Sequence, residues 1–252
     1  MSLAAVTPAL PDHFAAWFAG RGWQPHAHQL AMVEAAAAGA SALLIAPTGG
    51  GKTLAGFLPS LIDLTAAPST GVHTLYISPL KALAVDIARN LEAPVAEMAL
   101  PIRVETRTGD TPASKKKRQR SAPPQILLTT PESLALLISY DDAARFFAGL
   151  RCVVIDELHA LVDNKRGELL ALALARLNSI APGVRRVGLS ATVAHPELLR
   201  AYLAPSPAAA ETVRLVRGAD AVQPRVTITL GPERLPWSGH MATHAVAEIH
   251  KL

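Results

Sequence analysis

Residues 46–53 read A-P-T-G-G-G-K-T and lie between two apolar segments. The segment before them, residues 41–45, predicts a short buried strand, and residues 54–58 continue with the apolar spacing of a helix. A glycine-rich loop in this position typically holds phosphate, because its backbone N–H groups and the positive end of the helix dipole converge on an anion. Lys52 would reach the outer phosphates of a nucleotide, and the hydroxyl of Thr53 would bind Mg²⁺.

Strand and helix patterns alternate along most of the chain. The alternation predicts an α/β fold in which helices cover both faces of a parallel sheet. Ligands of such sheets bind beyond the carboxyl ends of the strands. Polar clusters follow the predicted strands at these ends, so we expect them to share one edge of the domain. The clusters are residues 48–53, 78–81, 108–110, 129–132, 156–159 and 190–192.

Two adjacent carboxylates, Asp156 and Glu157, follow the predicted strand that ends at residue 155. Asp156 would hold Mg²⁺ through a water molecule, and Glu157 would orient and deprotonate the water that attacks the γ-phosphate. Together with the phosphate loop, they predict hydrolysis of a nucleoside triphosphate. His159 could be a core histidine, a metal ligand or a coupling residue. Because no Cys or His stands at zinc spacing from it, we favour coupling through Ser190 and Thr192.

Composition restricts the class of protein. Half of the 252 residues are hydrophobic and only 4% are aromatic, so the core must consist mainly of Ala, Leu, Val and Ile, which suits helices packed on a parallel sheet. No apolar stretch is long enough to span a membrane, and the first ten residues have no positively charged region of a signal peptide. The single cysteine, Cys152, lies in a predicted strand. These features predict an intracellular protein without a membrane partner.

Positive charge is concentrated in one segment. Residues 103–120 carry a net charge of +5, whereas the whole chain carries +4, so the remainder sums to −1. Residues 115–120 (K-K-K-R-Q-R) supply most of this charge. Such a patch suggests a polyanionic partner, although a solvated helix face would give the same composition.

Three motifs together resemble a known family. Residues 46–53, D-E-L-H at 156–159 and S-A-T at 190–192 resemble motifs I, II and III of the superfamily 2 DExH-box helicases. The stretches R-G-W-Q-P-H-A-H-Q (21–29), L-Y-I-S-P-L-K-A-L (75–83) and V-G-L-S-A-T-V (187–193) are similar to Lhr-type helicases. The bacterial ligase-associated DNA damage response DEXH-box helicases are the most similar group, and the similarity covers nearly all of residues 10–203. The resemblance implies a RecA-like P-loop NTPase domain.

The resemblance assigns roles to individual residues. Gln29 would contact adenine, since its amide can donate and accept at one base edge, although alone it would be an ordinary surface glutamine. The nucleotide phosphates and Mg²⁺ would be held by Thr48, Gly49, Gly50, Gly51, Lys52, Thr53 and Asp156. Hydrolysis would use Lys52, Asp156 and Glu157, and His159, Ser190 and Thr192 would couple it to movement. The backbone of a nucleic-acid strand would be held by Pro79, Lys81, Ala82, Thr108, Gly109, Thr130, Pro131 and Glu132.

Helicases of this kind combine two RecA-like domains, and the second domain supplies an arginine that stabilises the transition state. We expect residues 1–204 to form the first domain, and residues 205–252 to form a linker and the truncated start of the second. The function implied is that of an ATP-dependent DNA helicase or translocase of DNA repair, with ATP and Mg²⁺ as cofactors. The 252-residue chain alone is then expected to hydrolyse ATP very slowly and not to unwind duplexes.

Two alternatives stay open at this point: an RNA-directed helicase, and a non-catalytic module that binds ATP and nucleic acid. The expected partners are single-stranded DNA, or RNA or a DNA/RNA hybrid, and the remaining helicase domains. A DNA ligase or nuclease is a further partner implied by the resemblance. The implied location is the bacterial cytoplasm and nucleoid.

Overall fold

The computed structural model describes residues 10–191 and 193–218, in which helices and strands alternate. The helices are α1 (Asp12–Gly20), α2 (Ala27–Ala37), α3 (Lys52–Ala66), α4 (Lys81–Glu97), α5 (Ala113–Ser121), α6 (Pro131–Ile138), α7 (Ala143–Phe146), α8 (Lys165–Ile180) and α9 (Pro196–Leu203). The strands are β1 (Ala42–Ile45), β2 (Thr74–Ile77), β3 (Val104–Arg107), β4 (Ile126–Thr129), β5 (Cys152–Ile155), β6 (Arg185–Ser190) and β7 (Arg214–Arg217). Two 3₁₀ turns, Leu158–Ala160 and Pro207–Thr212, complete this part of the chain.

The seven strands form one sheet in the order β3-β4-β2-β5-β6-β1-β7, and every neighbouring pair is parallel. The last residues of neighbouring strands lie opposite one another: Ile77 pairs with Ile155 and Thr129, and Ile45 pairs with Ser190. The loops that follow the strands therefore leave the sheet at a common edge. The predicted parallel sheet is confirmed.

Two hydrophobic cores fill the space between the sheet and its helices. Helices α1 to α4 pack on one face, and α6 to α9 pack on the other. Strand β1 shows why the sequence patterns are continuously apolar: Ala42 and Leu44 enter the first core, and Leu43 and Ile45 enter the second. A strand buried on both faces cannot alternate with polar residues. Among the residues described, no helix has both the length and the apolar character needed to cross a membrane.

The sheet extends beyond the domain boundary that we predicted at residue 204. The Pro- and Ala-rich stretch assigned to a linker forms the 3₁₀ turn Pro207–Thr212, and the chain then adds β7 beside β1. Val213 and Val216 are buried, and Arg214 N–H donates to the Ser41 carbonyl at 2.8 Å. Strand β7 thus covers an edge of β1 that would otherwise expose unpaired backbone groups. The strand expected at residues 225–230 and the helix expected from residue 241 lie outside the described residues.

Candidate nucleotide site and nucleic-acid interface

The phosphate loop connects β1 to α3. Gly49 and Gly51 have φ of +79° and +73°, a left-handed conformation that glycine adopts without steric cost. A Cβ on Gly50 would lie 3.0 Å from the Pro47 carbonyl oxygen, so this position also favours glycine. Thr48 lies in the loop, and Thr53 lies in the first turn of α3. Backbone N–H groups and the start of a 15-residue helix therefore meet at one place, as anion binding requires.

Lys52 is the first residue of α3 and is only 8% exposed. Its ammonium group donates a hydrogen bond of 2.8 Å to the Ala46 carbonyl, at the start of the loop. A buried charge needs such a partner, since an unpaired ammonium would lose its hydration without compensation. The side chain therefore bends back across the loop, where a phosphate oxygen can take the place of the carbonyl.

Asp156 and Glu157 leave the sheet beside this loop, because β5 is separated from β1 only by β6. Burial raises the pKa of Asp156, and one of its carboxylate oxygens accepts from the Glu157 backbone N–H at 3.0 Å. Glu157 has φ +46° and ψ +45°, a left-handed conformation that costs a non-glycine residue about 1 kcal/mol or more. Asp156 is buried, whereas the Glu157 side chain is 32% exposed.

Tyr76, a residue that we did not predict, lies next to this pair. It is fully buried on β2 and stacks on Phe57 with ring centroids 4.5 Å apart. Its hydroxyl faces Asp156 and Thr53 without a hydrogen bond of good geometry to either, and burial raises its pKa well above the ordinary value. A tyrosine in a fully buried strand was the available signal, because its hydroxyl needs a polar neighbour.

His159 links two of the motifs. Its Nδ1 lies 3.1 Å from the Ser190 hydroxyl and 3.5 Å from a Glu157 carboxylate oxygen. Ser190 is fully buried at the end of β6, opposite Ile45 of β1. The structure thus brings together the residues predicted to couple hydrolysis to movement, except for Thr192, which lies outside the described residues.

Gln29 lines a cleft of about 790 Å³ beside the phosphate loop, a volume that suits a nucleotide-sized ligand. Its Oε1 accepts from the His26 backbone N–H at 2.8 Å, and its Nε2 lies 3.5 Å from the Gly51 carbonyl oxygen. Trp23 and Arg21 lie on the same cleft, with the guanidinium 4.7 Å from the centre of the Trp23 rings. The amide that we predicted to read adenine is therefore directly connected to the phosphate loop.

The residues predicted to hold a nucleic-acid strand occupy the other half of the same sheet edge. They follow β2, β4 and β3, which are neighbours in the sheet. After β2 come Pro79, Lys81 and Ala82; after β4 come Thr130, Pro131 and Glu132; after β3 come Thr108 and Gly109. Lys81 Nζ lies 3.0 Å from an Asp110 carboxylate oxygen, so the segments after β2 and β3 are in contact.

The basic segment forms α5, and part of its charge is neutralised internally. Arg118 pairs with Glu105 at 2.8 Å, and Arg120 pairs with Asp142 at 2.7 Å. Lys116 donates to the Gly109 carbonyl at 2.8 Å, which ties the helix to one of the predicted strand-contact segments. Two of the cations therefore pair with carboxylates of the fold, and Lys117 is exposed. Binding of this segment to a polyanion stays a prediction.

A parallel sheet with a phosphate loop after β1, an acidic pair after β5 and a serine at the end of β6 defines a RecA-like P-loop NTPase domain. The model of the DEAD/DEAH box helicase family matches residues 26–200, and the chain belongs to this family.

Two relatives and one solved structure show where in the family the similarity lies. The chain is 43% identical over 201 residues to the Mycolicibacterium smegmatis "Lhr helicase/probable uracil glycosylase", covering 74% of this chain and 13% of the relative. It is 41% identical over 218 residues to the Escherichia coli "Lhr helicase/uracil glycosylase", covering 77% and 14%. The structure of Mycobacterium smegmatis helicase Lhr bound to ssDNA and AMP-PNP matches with a TM-score of 0.72 at 39% identity, over 83% of this chain and 27% of that one.

These findings confirm the predicted RecA-like fold and the Lhr-type resemblance. The chain spans only 13% to 14% of the two curated relatives. The narrower assignment to the ligase-associated group, and the roles given to single residues, stay predictions.

Proposed function

We propose that this chain is the ATP-binding part of a helicase or translocase that moves on single-stranded DNA in DNA repair. The observation that carries the proposal is the division of one sheet edge into two halves. The nucleotide residues follow β5, β6 and β1, and the strand-contact residues follow β2, β4 and β3. The similarity to an Lhr structure that holds both ssDNA and AMP-PNP supports this division.

In this proposal, nucleotide binding begins at the phosphate loop. The Lys52 ammonium leaves the Ala46 carbonyl and binds a β- or γ-phosphate oxygen, while the loop N–H groups hold the remaining charge. Gln29 reads the adenine edge from the adjoining cleft. Because Gln29 and Gly51 are in contact, base and phosphate recognition are built on one connected unit.

The chemistry of the side chains fits Mg²⁺ beside this loop. Thr53 and Asp156 offer oxygen donors, the ligand type that Mg²⁺ prefers, and the Tyr76 hydroxyl beside them is a buried polar atom without a partner. Within residues 10–191 and 193–218 no group of three or more His, Cys, Asp or Glu could hold a metal. That fits an ion held by one or two protein oxygens and the phosphates. When bound, Mg²⁺ would neutralise charge on the β- and γ-phosphates.

Hydrolysis then depends on Glu157 as the general base for the attacking water. The carboxylate lies 3.5 Å from His159, which in turn contacts Ser190. A change in the position of Glu157 is therefore passed to the end of β6 through two polar contacts. This is the physical basis on which we assign coupling to His159 and Ser190.

The test uses the 252-residue chain, a fluorescent ATP analogue and a labelled poly-dT oligonucleotide. Lys52→Ala should abolish binding of the analogue, because the phosphates lose their only buried cation partner among the residues described. Glu157→Gln should retain binding of the analogue and lose the slow ATP hydrolysis that is expected of this chain. Nucleotide binding by Lys52→Ala at the wild-type affinity would refute the site.

Two outcomes would select the alternatives. Preferential competition by a matched RNA strand would favour an RNA-directed helicase, since contacts to the backbone do not themselves exclude RNA. Binding of both ligands without any hydrolysis that Glu157→Gln reduces would favour a non-catalytic module. A DNA ligase or nuclease partner, the remaining helicase domains and a bacterial cytoplasmic location belong to the same proposal, and copurification of the tagged protein from cells would test them.

A further inference from the structure

Arg166 lies at the start of α8, outside the motifs that predicted the site. All three nitrogens of its guanidinium donate to the protein. Nε and Nη2 bind the two carboxylate oxygens of Glu132, the latter at 3.1 Å, and Nη1 binds the Pro79 carbonyl. This is a two-point ion pair of the kind that arginine forms and lysine cannot. Its effect on Glu132 is large, because the hydrogen bond from Arg166 lowers the pKa of Glu132 to about 2.

The two partners of Arg166 belong to different predicted strand-contact segments. Pro79 is in the segment that follows β2, and Glu132 is in the segment that follows β4. These strands are neighbours, with Ile77 opposite Thr129. Arg166 therefore joins the segments that its partners occupy, and it does so from a third element that starts shortly after the acidic pair.

Two residues close to Arg166 in the chain, Asn164 and Gly167, fix the position of its backbone. The Asn164 side chain accepts from the N–H groups of Arg166 at 2.9 Å and of Gly167 at 3.1 Å, and it donates to the Ala160 carbonyl at 2.6 Å. A Cβ on Gly167 would lie 1.9 Å from the Leu161 carbonyl oxygen, so no larger residue fits there. The direction of the guanidinium thus depends on the turn that follows Glu157.

The exposure of the Arg166–Glu132 ion pair indicates that its effect is on geometry and not on stability. The Arg166 and Glu132 side chains are 38% and 51% exposed, and ion pairs in such positions contribute little to the free energy of folding. Loss of the pair should then leave stability almost unchanged. Its geometry, by contrast, determines the spacing of two segments that must bind successive phosphates of one strand, where displacement by about 1 Å is costly.

We propose that Arg166 is a positioning residue for nucleic-acid binding. It holds the segment that begins at Pro79 and the segment that ends at Glu132 at one fixed spacing, and it connects both to the turn after the acidic pair. This inference rests on the proposed function, because it assumes that these segments contact a strand. In this proposal Arg166 acts on the strand through its partners, Glu132 and the Pro79 carbonyl.

The test compares Arg166→Lys with the matched variant Arg200→Lys in the 252-residue chain. Arg200 also pairs with a carboxylate, Glu211, and donates to a backbone carbonyl, that of Val213. Val213 directly precedes β7, which is the outermost strand on the side of the sheet away from β3, so this pair is remote from the strand-contact segments. The measurements are the Kd of a labelled dT20 oligonucleotide, the Kd of a fluorescent ADP analogue with Mg²⁺, and the unfolding temperature.

Arg166→Lys should weaken oligonucleotide binding about tenfold while leaving the nucleotide Kd and the unfolding temperature unchanged, because the lysine keeps the charge and loses the two-point geometry. Arg200→Lys should leave oligonucleotide binding unchanged. Oligonucleotide binding by Arg166→Lys at the wild-type affinity would overturn the inference, as would parallel losses of nucleotide binding and stability. A wild-type chain that binds the nucleotide and not the oligonucleotide would instead refute the proposed function, so the two failures are distinguishable.

Discussion

Replacement of two glycines in the phosphate loop separates base recognition from phosphate binding. Gly49→Ala and Gly51→Ala place a side chain at nearly equal left-handed φ angles, +79° and +73°, so both should cost roughly 1–2 kcal/mol of backbone strain. Their surroundings differ. A Cβ on Gly51 would lie 2.9 Å from Gln29 Nε2 and 3.3 Å from His26 Cδ2, whereas a Cβ on Gly49 meets nothing within 4 Å.

The expected change in discrimination between ATP and GTP follows from the contact with Gln29, which only Gly51→Ala disturbs. The new methyl group must displace the Gln29 amide by several tenths of an ångström or more, which removes it from the plane in which it pairs with a base. A two-point pairing between glutamine and adenine is worth about 1–3 kcal/mol of discrimination against the wrong base, or roughly 5- to 150-fold in affinity. Strain in the loop affects every nucleotide alike, so the ratio of ATP to GTP affinity isolates the effect on Gln29.

The assay is competition of ATP and GTP against a fluorescent nucleotide, for the wild type, both glycine variants and Gln29→Ala. We expect Gly49→Ala to weaken both nucleotides and keep their ratio, and Gly51→Ala to reduce the ratio to that of Gln29→Ala. An equal ratio in all four proteins would show that Gln29 does not read adenine. An equal reduction of the ratio of ATP to GTP affinity in Gly49→Ala and Gly51→Ala would show that the contact between Gly51 and Gln29 does not affect base recognition.

Two further predictions concern charge. Burial raises the pKa of Asp156 above its ordinary value of 3.8, so the folded state loses stability as the pH rises from that value to the raised pKa. Asp156→Asn should therefore unfold at a higher temperature than the wild type at neutral pH, by a margin that grows over that interval and is constant above it, while losing hydrolysis. An unchanged or lower unfolding temperature at pH 8 would contradict this. Lys115→Gln and Lys117→Gln should each reduce the dependence of single-stranded DNA affinity on log salt by about 0.7, whereas Arg118→Gln should change that dependence less, because Arg118 already pairs with Glu105.

The sequence predicted those parts of the molecule whose signals are local. The phosphate loop and the acidic pair are contiguous motifs, and the fully apolar strands indicated a sheet buried on both faces. Tyr76 and Arg166 were missed for a different reason. The partners of Tyr76 lie on α3 and directly after β5, and Arg166 is 34 residues from Glu132, so their significance depends on how these elements are arranged around the sheet. The apolar periodicity of the sequence predicts where helices and strands lie along the chain, and it does not specify which elements become neighbours in the fold.

The same limit applies to two other parts of the chain. The sequence left two interpretations of the basic segment open, and the pairing of Arg118 with Glu105 and of Arg120 with Asp142 is visible only in the folded chain. The Pro- and Ala-rich stretch looked like a linker because its composition is typical of one. Its proximity to β1, which recruits β7 to the sheet, is a property of the folded chain.

The strand order also determines how far apart the two functions are. Asp156 N–H donates to the Ile77 carbonyl at 2.8 Å, and Ser78 N–H donates to the Thr129 carbonyl at 3.0 Å. The backbone of the acidic pair is thus hydrogen-bonded to the end of β2, and the first residue after β2 is hydrogen-bonded to the end of β4. Arg166 adds a second connection between the same elements. A shift of the turn after β5 can therefore reach the residues proposed to hold the nucleic-acid strand by two routes. One is through the backbone hydrogen bonds between β5, β2 and β4, and the other is through the Arg166 side chain. Only the second route can be removed by substitution without breaking the sheet, and for that reason Arg166 is the position at which nucleic-acid stimulation of hydrolysis should be separable from hydrolysis itself.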